Sequence, residues 1–112
     1  MYKKQYVDDA VALLKQLISI PSVSREEACA ADFLEQQMKK WALPVRRIGN
    51  NLLVQDDIDA DKPTILLNAH IDTVKPVSSW TRSPFTPQVE GDLLYGLGAN
   101  DCGGGLVSLL QV

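Results

Sequence analysis

The sequence is poor in the residues and patterns that mark several classes of protein. Its 112 residues include one histidine, two cysteines and 6% aromatic residues, and Lys and Arg (11) are outnumbered by Asp and Glu (14). A mildly acidic chain lacks the basic surface of nucleic-acid-binding proteins, so no nucleic-acid partner is expected. Its apolar runs are a few residues long, whereas a membrane span needs about 20, so no membrane partner is expected. Two cysteines distant in sequence do not form a disulfide framework.

The remaining composition is that of an ordinary globular domain, with 46% hydrophobic and 22% charged residues. A chain of this length supports one domain. The polar residues 1–5 do not resemble the start of a signal peptide. We therefore expect a soluble, cytoplasmic protein in which Cys29 is a buried thiol on a helix.

Two amphipathic helices are predicted in the first 41 residues. Apolar residues recur at helical spacing over about residues 4–20, and Pro21 ends that segment. Ser24 and Glu27 form an S-x-x-E pattern, which predicts a capping box at the start of a second helix. That helix is expected to extend to about Trp41.

After the second helix the pattern changes to short strands. Strands at residues 45–48 and 52–55 are predicted to join at a turn over residues 49–51, and a further strand is predicted at 64–69. Residues 89–95 are predicted to form a hairpin-like pair around Gly91-Asp92. The run 64–69 is almost continuously apolar, which is typical of a strand covered on both faces. A glycine-rich segment then opens a last apolar helix at 106–112. This order of elements predicts the α/β class, with helices packed on a mixed sheet. Because the last helix carries no C-cap signal, we expect the chain to be part of a longer protein.

His70, the only histidine, follows the predicted buried strand, and Asp72 lies two residues later. If the strand geometry continues, both side chains project to the same side. Asp72 can then accept the proton on one ring nitrogen, which leaves the other nitrogen free to bind a metal ion. The alternative is a histidine that only caps a strand end.

The glycine-rich segment 96–105 holds a second candidate, Asp101. The segment lacks the glycine spacing and the G-K-[ST] pattern of phosphate-binding loops, and a central carboxylate repels phosphate. A carboxylate in a tight turn ahead of a helix suits a cation and can bridge two metal ions. An Asx turn or a helix N-cap is the alternative. Cys102, as the neighbour of Asp101, is expected to point elsewhere.

Taken in order, these segments resemble a known family. Residues 66–76 read LLNAHIDTVKP and residues 94–105 read LYGLGANDCGGG, with Trp80 and Pro84-Phe85 between them and PSVS at residues 21–24. The set is similar to the di-zinc metallopeptidases and deacylases, namely acetylornithine deacetylase, succinyl-diaminopimelate desuccinylase, aminoacylase and the glutamate-releasing carboxypeptidase. The resemblance implies that residues 1–112 are the N-terminal portion of a zinc-peptidase-like catalytic domain, without its lid and dimerisation domain.

The resemblance implies roles for three residues. His70 would bind one Zn²⁺, Asp101 would bridge two, and Asp72 would be the catalytic-site aspartate that orients His70. Co²⁺ and Mn²⁺ suit the same ligand types. The resemblance also implies a cis peptide bond between Asp101 and Cys102. Gly103 departs from the family pattern, which often has Lys or Arg there.

The implied activity is hydrolysis of the amide bond of a small N-acyl amino acid, with N-acetylornithine deacetylation in arginine biosynthesis as the first choice. A dipeptidase or a desuccinylase of the same family is the alternative enzyme, and a non-catalytic α/β binding module is the alternative from another class. The general base, the remaining metal ligands and the dimerising domain of the family have no counterpart in these 112 residues. The chain alone is therefore expected to be inactive, and the complete protein is compatible with a homodimer.

Overall fold

The structure, a computed structural model, describes residues 2–112, so that Met1 of the polar N-terminal run lies outside the described residues. Its elements are α1 (Tyr2–Ile18), α2 (Ala28–Lys40), β1 (Val45–Ile48), β2 (Asn51–Val54), β3 (Gln88–Glu90), β4 (Leu93–Tyr95) and α3 (Gly104–Leu109). The predicted α/β class is confirmed. Within residues 2–112, no helix has the length and apolar character needed to span a membrane.

The main apolar core lies where α1 packs on α3. Leu13, Leu14 and Ile18 of α1 are buried with Val107 of α3. The amphipathic spacing that predicted α1 is confirmed, although the helix ends at Ile18, two residues before the predicted end. This packing places the N-terminal end of α3, and the turn before it, against α1.

The predicted capping box is wrong. Glu27 occupies the N-cap position of α2 but makes no side-chain capping hydrogen bond. The Ser24 hydroxyl donates instead to the carboxylate of Asp72. The reason is that residues 22–24 run beside residues 71–73, where Val23 and Thr73 form a parallel bridge, before the chain enters the helix. The capping hydroxyl is thereby used elsewhere.

Helix α2 buries one face against the rest of the chain, formed by Ala30, Ala31, Leu34 and Met38. Cys29 lies on this helix as predicted, but its thiol is exposed, so the expected burial is wrong. Arg47 of β1 connects the helix to the first hairpin, because its guanidinium contacts Asp32 and lies 3.1 Å from the Glu35 carboxylate.

The strands form two separate antiparallel hairpins, β1–β2 and β3–β4, in place of one sheet. Both predicted turns are confirmed, since Ile48 pairs with Asn51 and Glu90 pairs with Leu93 across two-residue loops. The Arg82 guanidinium anchors the preceding proline-rich connection to the second hairpin. It contacts the Glu90 carboxylate at 2.7 Å and lies 3.8 Å from the centre of the Tyr95 ring.

The buried strand predicted at residues 64–69 is wrong. Ile65 and Leu66 are 82% and 78% exposed, and no strand within residues 2–112 pairs with this segment. An apolar run indicates that a segment can be covered on both faces, but the covering elements must be supplied by other parts of the chain. Among the described residues, those elements are not in place.

Two glycines near α3 differ in the space around them, which gives a stability prediction. A Cβ atom at Gly103 would lie 2.6 Å from the Gly98 carbonyl oxygen and 2.6 Å from Leu14 Cδ1, whereas a Cβ at Gly105 meets nothing within 4 Å. Gly103→Ala is expected to destabilise the fold by about 1–3 kcal/mol, because packed backbone must move. Gly105→Ala is the matched control and should be neutral or stabilising by up to about 1 kcal/mol, since alanine favours helix. Urea unfolding measures both, and equal midpoints would contradict the prediction.

Candidate metal centre

The two predicted metal ligands lie together although they are far apart in sequence. His70 follows the exposed segment 64–69, and Asp101 lies in the wide turn that leads into α3. His70 Nε2 is 2.9 Å from Asp101 Oδ1. The side chains of both residues are accessible, with 50% of His70 and 86% of Asp101 exposed.

The backbone around Asp101 explains how its carboxylate reaches the surface. Gly98 opens the turn with φ +77°, and the Gly103 amide donates to the Gly98 carbonyl at 2.8 Å. Between them, Asp101 and Cys102 leave helical geometry, with φ/ψ of −118°/96° and −122°/33°. The Asp101–Cys102 peptide bond is cis, as the resemblance implied.

Cys102 connects this turn to the backbone of His70. The His70 amide donates to Cys102 Sγ at 3.3 Å, and the thiol lies 3.2 Å from the His70 carbonyl oxygen, to which it donates. The sulfur therefore faces the His70 backbone while the neighbouring Asp101 carboxylate faces the imidazole. Sequence patterns did not reveal this contact, because a single cysteine beside a predicted ligand carries no periodic signal.

The other ring nitrogen of His70 faces Asp72. Nδ1 lies 2.9 Å from the Asp72 carbonyl oxygen and 3.2 Å from Asp72 Oδ1. Asp72 therefore offers two acceptors to Nδ1, and the carbonyl oxygen, which the sequence analysis did not consider, is the nearer one. The second carboxylate oxygen, Oδ2, accepts the hydroxyl proton of Ser24.

These contacts shift the protonation of both residues. The Asp101 carboxylate, hydrogen-bonded to Nε2, raises the pKa of His70 above its ordinary value of 6.5; burial opposes this shift, and the Asp72 carbonyl adds to it. The hydrogen bond from Ser24 is the main cause that lowers the pKa of Asp72, with the nearby imidazole contributing in the same direction. Without a metal ion, both ring nitrogens face acceptors, which favours the doubly protonated ring.

The donor set fits part of a metal site. Imidazole nitrogen and carboxylate oxygen are ligand types that Zn²⁺ takes, and a ligand histidine generally donates its other ring N–H to a carboxylate or carbonyl, as Nδ1 does to Asp72. The Asp101 contact with His70 uses Oδ1, and the Asp101 side chain is largely exposed. Within residues 2–112, no group of three or more His, Cys, Asp or Glu side chains is placed to hold a metal ion. The two candidate ligands alone therefore do not complete such a site.

Comparisons with known proteins identify a family and several relatives to which this chain is similar. Residues 66–112, which contain both candidate ligands, match peptidase family M20/M25/M40. The succinyl-diaminopimelate desuccinylase of Anaplasma marginale (strain Florida) is 32% identical over 101 residues, covering 85% of this chain and 26% of its own length. The desuccinylase of Methylorubrum extorquens (strain PA1) is 34% identical over 111 residues, covering 89% and 28%.

A relative that carries the name of a different activity is also similar to this chain. The putative LysW-lysine/LysW-ornithine hydrolase of Pyrococcus abyssi (strain GE5 / Orsay) is 32% identical over 108 residues, covering 92% of this chain and 28% of its own length. The chain thus spans just over a quarter of the length of these curated relatives.

The charge on His70 gives a pH prediction for the metal-free chain. Asp101→Asn is expected to lower the pKa of His70, because a neutral amide no longer stabilises the imidazolium. Since the pKa is raised on folding, protonated His70 stabilises the fold below pH 6.5 and this contribution is lost as pH rises through the folded-state pKa. NMR titration of the single imidazole measures the pKa. Urea unfolding should show a larger stability difference between wild type and variant at about pH 6 than at about pH 9.

The matched control is Asp92→Asn, which changes an exposed carboxylate in the turn between β3 and β4. This control should leave the pKa of His70 at the wild-type value. A pKa of His70 that is the same in Asp101→Asn and in wild type would contradict the prediction.

Proposed function

This chain belongs to peptidase family M20/M25/M40, and from that premise we propose that it supplies part of the active site of a metal-dependent hydrolase. The reaction is hydrolysis of the amide bond of a small N-acyl amino acid. Residues 1–112 form the N-terminal portion of the catalytic domain, and the protein acts in the cytoplasm. It needs no nucleic-acid or membrane partner, and a homodimer is compatible with the family resemblance.

The observation that carries the proposal is the 2.9 Å approach of His70 Nε2 to Asp101 Oδ1. The two side chains come from separate motifs, and a purely structural histidine would not require an accessible carboxylate opposite its second nitrogen. Their exposure leaves them open to an ion and to a substrate. The family is generally metal-dependent, and this pair lies within the residues that match it.

In the proposed site, His70 and Asp101 would hold Zn²⁺, His70 through Nε2 and Asp101 through its carboxylate. Bound ions would supply a water of lowered pKa and would polarise the amide carbonyl. Asp72 keeps the proton on His70 Nδ1, so that the Nε2 lone pair stays directed to the ion. Co²⁺ and Mn²⁺ remain alternatives because the same ligands suit them.

Two compounds are candidate substrates. N-acetylornithine is favoured by the likeness of the Asn-Asp-Cys-Gly-Gly segment to acetylornithine-deacetylase-like sequences, which would place the protein in arginine biosynthesis. N-succinyl-diaminopimelate is favoured by the similarity of this chain to the succinyl-diaminopimelate desuccinylases of A. marginale and M. extorquens. Both are N-acyl derivatives of amino acids with a second polar end, so the proposed reaction is the same for either one.

The isolated chain of residues 1–112 is expected to be inactive with added Zn²⁺, because two metal ligands without a general base do not complete such a site. The measurement is release of acetate from N-acetylornithine and of succinate from N-succinyl-diaminopimelate. Zinc-stimulated hydrolysis by the purified chain would contradict this expectation.

The natural protein that contains this chain is expected to hydrolyse one of these acyl amino acids, and a panel that also includes dipeptides identifies which. Asp72→Asn should lower kcat/KM by about 10–100-fold, because His70 loses a charged partner for its Nδ1 proton. Asp92→Asn is the matched control and should retain wild-type activity. If the metal-loaded natural protein cleaves no member of the panel, the hydrolase proposal fails and the binding-module alternative is favoured.

A further inference from the structure

We propose that Ser24 is a positioning residue for the candidate metal centre, acting on His70 through the carboxylate of Asp72; the inference rests on the proposed function. The Ser24 hydroxyl donates to Asp72 Oδ2, and the other oxygen of the same carboxylate, Oδ1, lies 3.2 Å from His70 Nδ1. One carboxylate thus connects a hydroxyl to the imidazole that presents Nε2 to Asp101.

The carboxylate of Asp72 needs such a restraint. Its side chain is 38% exposed, and rotation about the terminal bond of an aspartate is soft. A single contact with His70 Nδ1 would leave the carboxylate free to turn toward water. A second donor on Oδ2 holds the plane of the carboxylate and keeps Oδ1 directed to the ring.

The backbone that carries Ser24 is held by hydrogen bonds that do not involve the Ser24 side chain. The Ser24 amide donates to the Thr73 carbonyl at 3.0 Å, and the Thr73 amide donates to the Ser22 carbonyl at 2.9 Å. Ser22 is buried, and its hydroxyl donates to the Ile71 carbonyl at 3.1 Å. Removing the Ser24 hydroxyl therefore leaves the supporting backbone pairing in place.

Other roles for this hydroxyl have less support. It does not cap α2, since that helix has no side-chain capping bond. Its other acceptor, the Thr73 carbonyl oxygen, lies 3.4 Å away, farther than Asp72 Oδ2. A hydroxyl has one proton to donate, and the geometry directs that proton to the carboxylate.

The experiment uses residues 1–112 and the imidazole nitrogens of the single histidine, observed by ¹⁵N NMR. Two readouts are taken: the tautomer of the neutral ring without metal at one fixed pH, and the Zn²⁺ concentration that half-saturates the shift of His70 Nε2. The variants are Ser24→Ala, with Ser24→Thr and Ser24→Val as a pair of similar shape that differ by the hydroxyl. Ser19→Ala is the control, because its exposed hydroxyl contacts only the Lys15 carbonyl.

Ser24→Ala and Ser24→Val are expected to weaken Zn²⁺ binding at His70 about 10-fold and to reduce the fraction of the Nδ1–H tautomer. The reason is that the Asp72 carboxylate, which contacts Nδ1, loses the hydrogen bond that positions it. Ser24→Thr and Ser19→Ala should match wild type in both readouts. If Ser24→Ala fails to fold, the comparison of Ser24→Thr with Ser24→Val tests the proposal. Wild-type values in Ser24→Val would overturn the proposal.

Failure of the proposed function can be distinguished from failure of the positioning role of Ser24. If the natural protein that contains this chain binds no Zn²⁺, the metal centre itself is refuted. The metal-free tautomer still tests Ser24 in that case, because a change in Ser24→Val but not in Ser24→Thr supports positioning of the ring, and equal tautomers overturn it.

Discussion

The parallel pairing of residues 22–24 with residues 71–73 is the constraint on which the site depends. The preceding segment 64–69 pairs with no strand within residues 2–112, so it cannot hold the imidazole in place. Two amide–carbonyl bonds and the buried Ser22 hydroxyl fix the backbone just after His70, and the Cys102 thiol fixes the backbone at His70 itself. The candidate ligand His70 is thereby held by hydrogen bonds from neighbouring segments, where a sheet would usually provide the support.

The imidazole of His70 lies between two carboxylates, and this arrangement determines its chemistry. In the metal-free chain, Asp101 and the acceptors of Asp72 stabilise a proton on each ring nitrogen. In the proposed metal site, a divalent cation at Nε2 would replace one of these protons and would be attracted by the same negative charge. Proton and metal would then compete for Nε2, whereas Nδ1 would keep its proton in both states.

Local signals made much of the fold predictable. The spacing of apolar residues predicted α1, and the turn residues at Gly49 and Gly91 predicted both hairpins, because each signal acts within a few residues. The start of α2 could not be predicted in this way. The hydroxyl of Ser24 can bond to its own helix or to a carboxylate 48 residues away, and the pairing of distant segments decides between them.

The candidate site was predictable only in part, and for a similar reason. The spacing of His70 and Asp72 and the family resemblance indicated which residues carry chemistry, and the structure brings His70 to Asp101. The supports contributed by Ser24 and Cys102 follow no period and no spacing rule. The surroundings of residues 64–69 were also beyond prediction, since an apolar run does not specify the elements that cover it.

The exposed run Ile65–Leu67 has a consequence for the behaviour of this chain in concentrated solution. Its side chains face water, and the amides of residues 64–69 donate no hydrogen bond to the residues that the structure describes. Such a stretch can pair with another copy of the chain, because that copy can accept hydrogen bonds from its amides and cover its side chains. Two residues before the stretch oppose such pairing, since Lys62 carries a charge and Pro63 has no amide proton to donate. No charged residue follows until His70. Residues 64–69 are therefore open to pairing with another strand.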